Sequence, residues 1–224
     1  MLRFFSKFRY LFITLLLLSG IIITLFYKAL KPQKTLPVYQ PAMVNAELVD
    51  SNIQYIKKYH TIANFKLINQ NGDTITQNNY KDKIYIADFF FTTCPSICPI
   101  MTGNMVKIQE QIINDDDVML LSHSVTPVTD SVAQLKKYAL EKGVIDSKWN
   151  LVTGNKKHIY ELARKSYLAV KEDGNGDAYD MIHTENFILV DKERRIRGFY
   201  DGTDTEEMEK LLSDLKLLKS SYKN

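Results

Sequence analysis

Only two cysteines occur among the 224 residues, Cys94 and Cys98, in Phe89-Phe90-Phe91-Thr92-Thr93-Cys94-Pro95-Ser96-Ile97-Cys98-Pro99. They follow Ile84 to Phe91, an apolar, β-branched and aromatic run with one charge at Asp88, which reads as a buried strand. Beyond them Ile100, Met101, Met105, Ile108, Ile112 and Ile113 recur at helical spacing. Pro99 suits the first turn of that helix, where its missing N–H costs nothing. The pair therefore sits where a strand hands over to a helix N-terminus. Exposed amides and the positive end of the helix dipole there favour thiolate over thiol. This is a position for redox chemistry or metal binding.

Spacing narrows the chemistry. Helix neighbours i and i+4 have Cβ atoms about 5–6 Å apart, whereas a disulfide needs about 3.5–4.5 Å. The pair can be oxidised only if the Pro95-Ser96-Ile97 loop tightens. Two thiolates each about 2.3 Å from one ion stand further apart than bonded sulfurs. Cys-x-x-x-Cys thus suits a metal chelate and leaves disulfide formation open. A purely stabilising disulfide is disfavoured, because so short a loop constrains the unfolded chain little.

Two thiolates invite a third soft or borderline ligand, and there are four histidines. His60 precedes the core and reads as a surface residue. His158 lies on a helix beside Lys156 and Lys157 and reads as solvated. His123 follows a buried apolar run and reads as a core or strand-end histidine. His183 lies between a polar loop and the Phe187 strand, from where a hairpin can carry it to the helix N-terminus. Spacing alone does not select it. Met101 and Met105, one turn apart, read as core packing before they read as soft ligands. Asp173-Gly-Asn175-Gly-Asp177 begins like a calcium loop, but Ala178 stands where glycine is needed and Thr184 where the bidentate Glu belongs. It reads as a solvated loop.

The elements that must position these residues are legible in order. Phe65–Asn69 and Thr74–Thr76 flank Asn71-Gly72, a hairpin signal. After the cysteine-bearing helix, Val118–Leu121 reads as a strand. Ser131–Lys142 reads as a helix with Asp130 as its N-cap and Gly143 at its stop. Trp149–Val152 reads as a strand, Asn155–Leu168 as a helix, Phe187–Val190 with Ile196–Tyr200 as a hairpin, and Thr205–Leu218 as a closing amphipathic helix. The order hairpin–β–α–β–α–β–α–β–β–α predicts a thioredoxin-like α/β layer fold with a central mixed sheet and an N-terminal hairpin. Cys94 falls at the carboxyl end of a strand, where open α/β sheets place their ligands.

The formal charge of +3 misleads. Arg3, Lys7, Arg9, Lys28 and Lys31 are five of the 29 basic groups, and no acid lies among residues 1–31. The remainder holds 24 basic against 26 acidic residues, so the main domain has no electrostatic footprint for nucleic acid. Tyr10 to Tyr27 is 18 residues without a charge, long enough to cross a hydrocarbon core. It exceeds a usual signal h-region, and no clear small-x-small cleavage site follows. The expected division is a basic N-terminus (1–9), one transmembrane helix (10–27), a proline-containing linker (28–50) and the thioredoxin-like domain (51–224). The absence of an Arg/Ser-rich transit peptide favours a bacterial inner membrane with the domain in the periplasm.

The run Phe90 to Pro99, then Ser124-Val125-Thr126-Pro127, then Trp149-Asn150-Leu151-Val152-Thr153-Gly154, then His183-Thr184 resembles the Sco/SenC family, over about Asn64 to Leu218. The resemblance implies a membrane-anchored protein of thioredoxin fold that binds copper. It implies assembly of the binuclear copper centre of cytochrome c oxidase, with apo subunit II as client and an upstream copper donor. It also implies Cys94 and Cys98 as thiolate ligands and His183 as the third. The ligand chemistry agrees, since thiolates select Cu(I) and imidazole suits copper, although zinc would find a similar set. The rival function is a thiol–disulfide oxidoreductase acting on the apo-oxidase or other exported proteins, with Cys94 and Cys98 as the redox pair. A peroxiredoxin-like peroxidase is a third. The chain departs from the family at Thr126, where Asp is usual, and at Ile182, where an acid often precedes the histidine.

Overall fold

The computed structural model describes residues 8–30, 35–45, 49, 52–170 and 182–222. The polar loop containing Asp173–Asp177 lies outside them. The chain divides into two compact units, Met1–Thr35 and Leu36–Asn224. The first carries α1 (Arg9–Leu30), whose span Arg9–Tyr27 has a mean hydropathy of 2.3 and is long and apolar enough to cross a membrane.

The second unit is built on one seven-stranded sheet. In chain order its strands are β1 (Lys66–Asn69), β2 (Thr74–Thr76), β3 (Ile84–Phe90), β4 (Val118–Ser124), β5 (Trp149–Thr153), β6 (Asn186–Val190) and β7 (Ile196–Asp201). In space they run β2-β1-β5-β4-β3-β6-β7. The central pairs β3–β4 and β4–β5 are parallel, and the outer pairs are antiparallel. A parallel centre must be covered on both faces, which is why β3 reads as a continuous apolar run and is buried at every residue. On one face Ile84, Ile86 and Phe90 pack with α2 (Ile97–Ile112), α3 (Val132–Lys142) and α5 (Thr205–Ser220). On the other, Tyr85, Ala87 and Phe89 pack with α4 (Lys156–Glu161) and the π-turn Leu162–Ser166 that follows it.

The order of elements is the expected one, with four local corrections. The cysteine-bearing helix starts at Ile97, so Cys98 and Pro99 both lie inside its first turn. Strand β4 continues to Ser124 and contains His123 rather than preceding it. The N-cap of α3 is Ser131, whose hydroxyl accepts from the Gln134 amide at 3.3 Å, and Asp130 turns elsewhere. The expected helix 155–168 widens into its π-turn, which brings Tyr167 over the sheet. There its ring lies 5.5 Å from Phe89 and 5.1 Å from His123, and its hydroxyl 3.3 Å from that of Tyr85. Gly143, at φ 74°, ends α3 where expected.

Residues 36–45, inside the stretch read as linker, run along the second unit. Buried Arg197 donates to the carbonyls of Leu36 (2.6 Å) and Pro37 (2.8 Å) and pairs with the fully buried Asp191 at 2.9 Å. Tyr39 donates its amide to the Ile196 carbonyl and meets Phe199 edge-on at 5.3 Å.

Two titratable groups lie on opposite faces of the parallel centre, His123 with Phe89 and Tyr167 and Asp88 with Ser122. His123 is fully buried, and its Nδ1 lies 3.3 Å from the Asp88 carbonyl, while Nε2 has no partner. Burial holds its pKa down at about 3. Burial pushes the Asp88 carboxyl up to about 7, against a hydrogen bond from Ser122, and its Oδ1 has no partner. Raised Asp88 gives stability that is full below its unfolded pKa of about 4 and is lost as pH rises towards 7. Lowered His123 gives stability that is full above 6.5 and is lost as pH falls towards 3. The stability difference between Asp88→Asn and the unaltered protein should therefore grow in favour of the variant from pH 4 to pH 7. One proton's linkage sets the slope, about 1.4 kcal/mol per pH unit, and the difference should level off above pH 7. Denaturant titrations across that range measure it, and parallel curves would remove Asp88 from this role.

Candidate metal centre

Strand β3 ends at Phe90, and six residues separate it from helix α2, which begins at Ile97. A helix leaves its first amides without internal partners. Ser96, at the N-cap position, makes no side-chain cap, and Pro99 has no N–H to satisfy. The Cys98 amide instead points to Cys94 Sγ at 3.5 Å, so sulfur takes the place of a capping oxygen. The Cys94 amide closes the turn by donating to the Phe91 carbonyl at 3.3 Å. Both cysteines are free thiols.

The two sulfurs are unequal. Cys94 is partly exposed and Cys98 is buried at 3%. Burial works to raise the Cys94 pKa, but hydrogen bonds from the Cys98 thiol, the Ser96 and Cys98 backbone and the Ser96 hydroxyl outweigh it, leaving Cys94 below an ordinary thiol. Burial and the neighbouring Cys94 push Cys98 up to about 12, and Asp88 adds a smaller push through its charge. Exposure and a lowered pKa suit Cys94 to nucleophilic attack or to first contact with a metal, whereas Cys98 would need a metal or a partner to give up its proton.

His183 is exposed, with its ring edge-on to Phe91 at 6.1 Å between centroids. Its neighbours are both buried: Ile182 packs in the core with its amide 3.4 Å from Tyr160 Oη, and Thr184 Oγ1 accepts from Asn186. That alternation turns His183 outward beside the cysteine turn. Among the described residues, no three of His, Cys, Asp and Glu already stand as a closed metal site. The donors that fit a soft ion are a preset thiol pair and an imidazole next to its loop. The other histidines are placed differently. His123 is in the core, as read. His60 is half-buried rather than a free surface residue, because its Nε2 reaches the Ser166 carbonyl at 2.8 Å. His158 opens α4, its amide capped by Asn155 at 3.0 Å. Met101 and Met105 are fully buried in the core.

The sequence model of the SCO1/SenC family matches residues 53–219. This chain belongs to that family. The SCO1 protein homolog of Bacillus subtilis is 31% identical to it over 159 residues, 70% of this chain and 82% of the relative. BsSco is a member of the Sco family of cytochrome c oxidase assembly proteins in which a disulfide switch has been identified. It superposes with a TM-score of 0.61 at 30% identity, over 71% of this chain and 93% of its own. Bradyrhizobium japonicum ScoI, solved with copper bound, gives 0.57 at 26% identity, over 71% and 99%. The mixed sheet is the thioredoxin-like arrangement of these Sco structures.

Both departures from the usual Sco/SenC pattern have a structural setting here. Ile182 occupies a buried core position, 4% exposed, where a carboxylate would be desolvated. Thr126 donates its hydroxyl to Asp130 at 3.0 Å. Asp130 itself is a site-adjacent residue that the sequence reading assigned to a helix cap. The inequality of the thiols is directly measurable. At pH 7 to 8 iodoacetamide should modify Cys94 on the native protein and leave Cys98 unmodified, as read by peptide mass. Equal labelling of both would contradict the geometry.

Proposed function

We propose that this protein is a membrane-anchored metallochaperone that carries Cu(I) on Cys94, Cys98 and His183. Its client would be apo subunit II of cytochrome c oxidase, whose binuclear copper centre it helps to assemble, and it would be loaded by an upstream copper donor. The observation that carries this reading is the preset, unequal thiol pair at a helix N-terminus with an outward imidazole against Phe91. Thiolates favour Cu(I) over harder ions. Two thiolates and a neutral imidazole around Cu(I) have a net charge of −1, which the amide-rich helix start accommodates. Cys94 binds first because it is exposed and already inclined to ionise; Cys98 yields its proton as the metal is gripped. Three protein ligands leave the ion open to an incoming ligand from the client, so copper can pass without being released to water. Copper-bound Sco relatives support the cargo assignment, and BsSco's family role supports the client.

The proposed location is supported by the length and apolar character of α1. We place residues 10–27 across a bacterial inner membrane, with residues 28–50, of which 36–45 already pack on the domain, leading to the copper domain in the periplasm. A reporter fused after Asn224 should be active only outside the cytoplasm, and the protein should stay with membranes through an alkaline wash. Recovery of a soluble form lacking residues 1–30 would mean that the segment is a cleaved signal.

A second reading, thiol–disulfide reduction of the apo-oxidase, is favoured by the same free dithiol and by the disulfide switch of BsSco. His183 separates the two. Loss of one of three ligands should weaken Cu(I) binding well beyond the roughly 10–100-fold typical of residues that merely support a ligand. The dithiol should still reduce a model disulfide at nearly the original rate. His183→Ala is thus expected to lose copper and oxidase assembly together while keeping reductase activity. Assembly that survives His183→Ala but fails in Cys94→Ser would make this protein a reductase.

A further inference from the structure

Asp130 is completely buried, and among the described residues no cation pairs with it. Its carboxylate is filled instead by four neutral donors. Thr92 gives Oδ1 its hydroxyl at 2.6 Å and Oδ2 its amide at 3.2 Å. Ser124 and Thr126 give Oδ2 their hydroxyls at 2.6 and 3.0 Å. A carboxylate has about four acceptor positions, and four donors meet this one, three on Oδ2 and one on Oδ1. Three separate pieces of chain meet on it: the loop that carries Cys94, the end of β4, and the turn 126–130 before α3. Gln134 Nε2 adds a bond to Thr92 Oγ1 at 3.0 Å from within α3. A cap for α3 would not need this burial, and Ser131 already supplies one.

Thr92 stands two residues before Cys94. With Thr92 fixed at both its amide and its hydroxyl, the turn Phe91–Cys94 has little freedom. The position of Cys94 Sγ over the Cys98 amide is inherited from that restraint. No regular structure holds this stretch, since β3 has ended and α2 has not begun.

We propose that Asp130 is the positioning residue of the thiol site: through its two bonds to Thr92 it sets the place of Cys94 Sγ relative to Cys98. Asp130 touches neither metal nor thiol in this role; it acts through Thr92. For one readout this rests on the copper reading above, and for the other it does not. An amide at position 130 would offer one acceptor oxygen and two surplus N–H donors to four donors, so Asp130→Asn disrupts the network. Thr92→Val removes the hydroxyl and Thr92→Ser keeps it. Tyr80→Phe, which removes a hydroxyl bonded to Leu120 and Asn150 elsewhere in the core, controls for lost stability alone.

The test compares these variants of the full chain in detergent, by Cu(I) competition and by the rate of Cys94 alkylation at pH 7. Thr92→Val and Asp130→Asn should bind Cu(I) about 10–100-fold more weakly. Their Cys94 should alkylate about 2–10-fold more slowly, the worth of one hydrogen bond to the sulfur. Thr92→Ser should restore both values, and Tyr80→Phe should lower the melting temperature and change neither. The proposal is overturned if Thr92→Val resembles Tyr80→Phe, or if Thr92→Ser is as impaired as Thr92→Val. If the unaltered protein binds no Cu(I), the copper reading fails and the alkylation rates alone decide the positioning role. If the altered proteins do not fold, hydrogen exchange in the unaltered protein decides. A slowly exchanging Thr92 amide supports the tether, and exchange at the rate of a free loop amide overturns it.

Discussion

The amide of Cys98 points at the sulfur of Cys94, and this contact joins the burial of Cys98 and the approach of the two thiols in making them unequal. Had Ser96 capped the helix in the ordinary way, its oxygen would have taken an orphan amide and left the sulfur to solvent. Here the helix start has a deficit of acceptors, and the sulfur fills it. Burial opposes charge on Cys98 most, while the hydrogen bonds around Cys94, this one among them, favour charge on Cys94 and place it beside Cys98. A metal cation reverses the second effect, because two thiolates that repel one another are both attracted to it. The pair is poorly suited to two thiolates without an ion and well suited to two thiolates with one.

The rest of the domain holds this contact in place by different treatments of buried charge. Asp130 is satisfied by four neutral donors, Asp191 by Arg195 and Arg197, and Asp88 only in part. The first two are fixed points: one ties the cysteine loop to α3, the other ties the entering segment 36–39 to β7. Asp88 lies under the site on the same strand, close enough to raise Cys98, and burial favours its uncharged form. A full negative charge there would oppose the thiolates above it. The same protein thus anchors charge where position matters and suppresses it where it would compete with the ligands.

Much of this was legible in the sequence, and the exceptions share a cause. The strand-to-helix turn shows because a seven-residue buried strand and an amphipathic helix have different periods, and the cysteines sit between them. The hairpins show through Asn71-Gly72 and through the two apolar runs on either side of Asp191–Arg195. His123 was read into the core correctly, but its strand looked shorter, because Ser122, His123 and Ser124 break the apolar run while remaining buried. Asp130 resembled a cap because it precedes a helix; its partners lie 4, 6 and 38 residues away, and contacts of that kind leave no periodic trace. Arg197 reaches carbonyls 160 and 161 residues earlier for the same reason. His183 was singled out by family resemblance and not by spacing. Its outward direction follows from two buried neighbours, one of which, Ile182, replaces an acid usual in the family.

Chaperone and reductase are less independent than two separate functions would be, because both draw on one reduced dithiol. An ion that binds the dithiol and not the disulfide stabilises the reduced form by an amount that grows with the logarithm of its concentration over its dissociation constant. Copper loading on this site would therefore make the pair harder to oxidise, and oxidation would expel copper, with the same coupling free energy seen from either side. The buried Cys98 strengthens that link, since its proton must leave in both processes. On the proposed reading His183 would enter only one of them. A protein built solely for reduction would gain nothing from an imidazole held outward between two buried residues beside the thiols. A copper carrier gains a third ligand that costs the dithiol nothing when the site is empty, and this asymmetry favours the chaperone over the reductase.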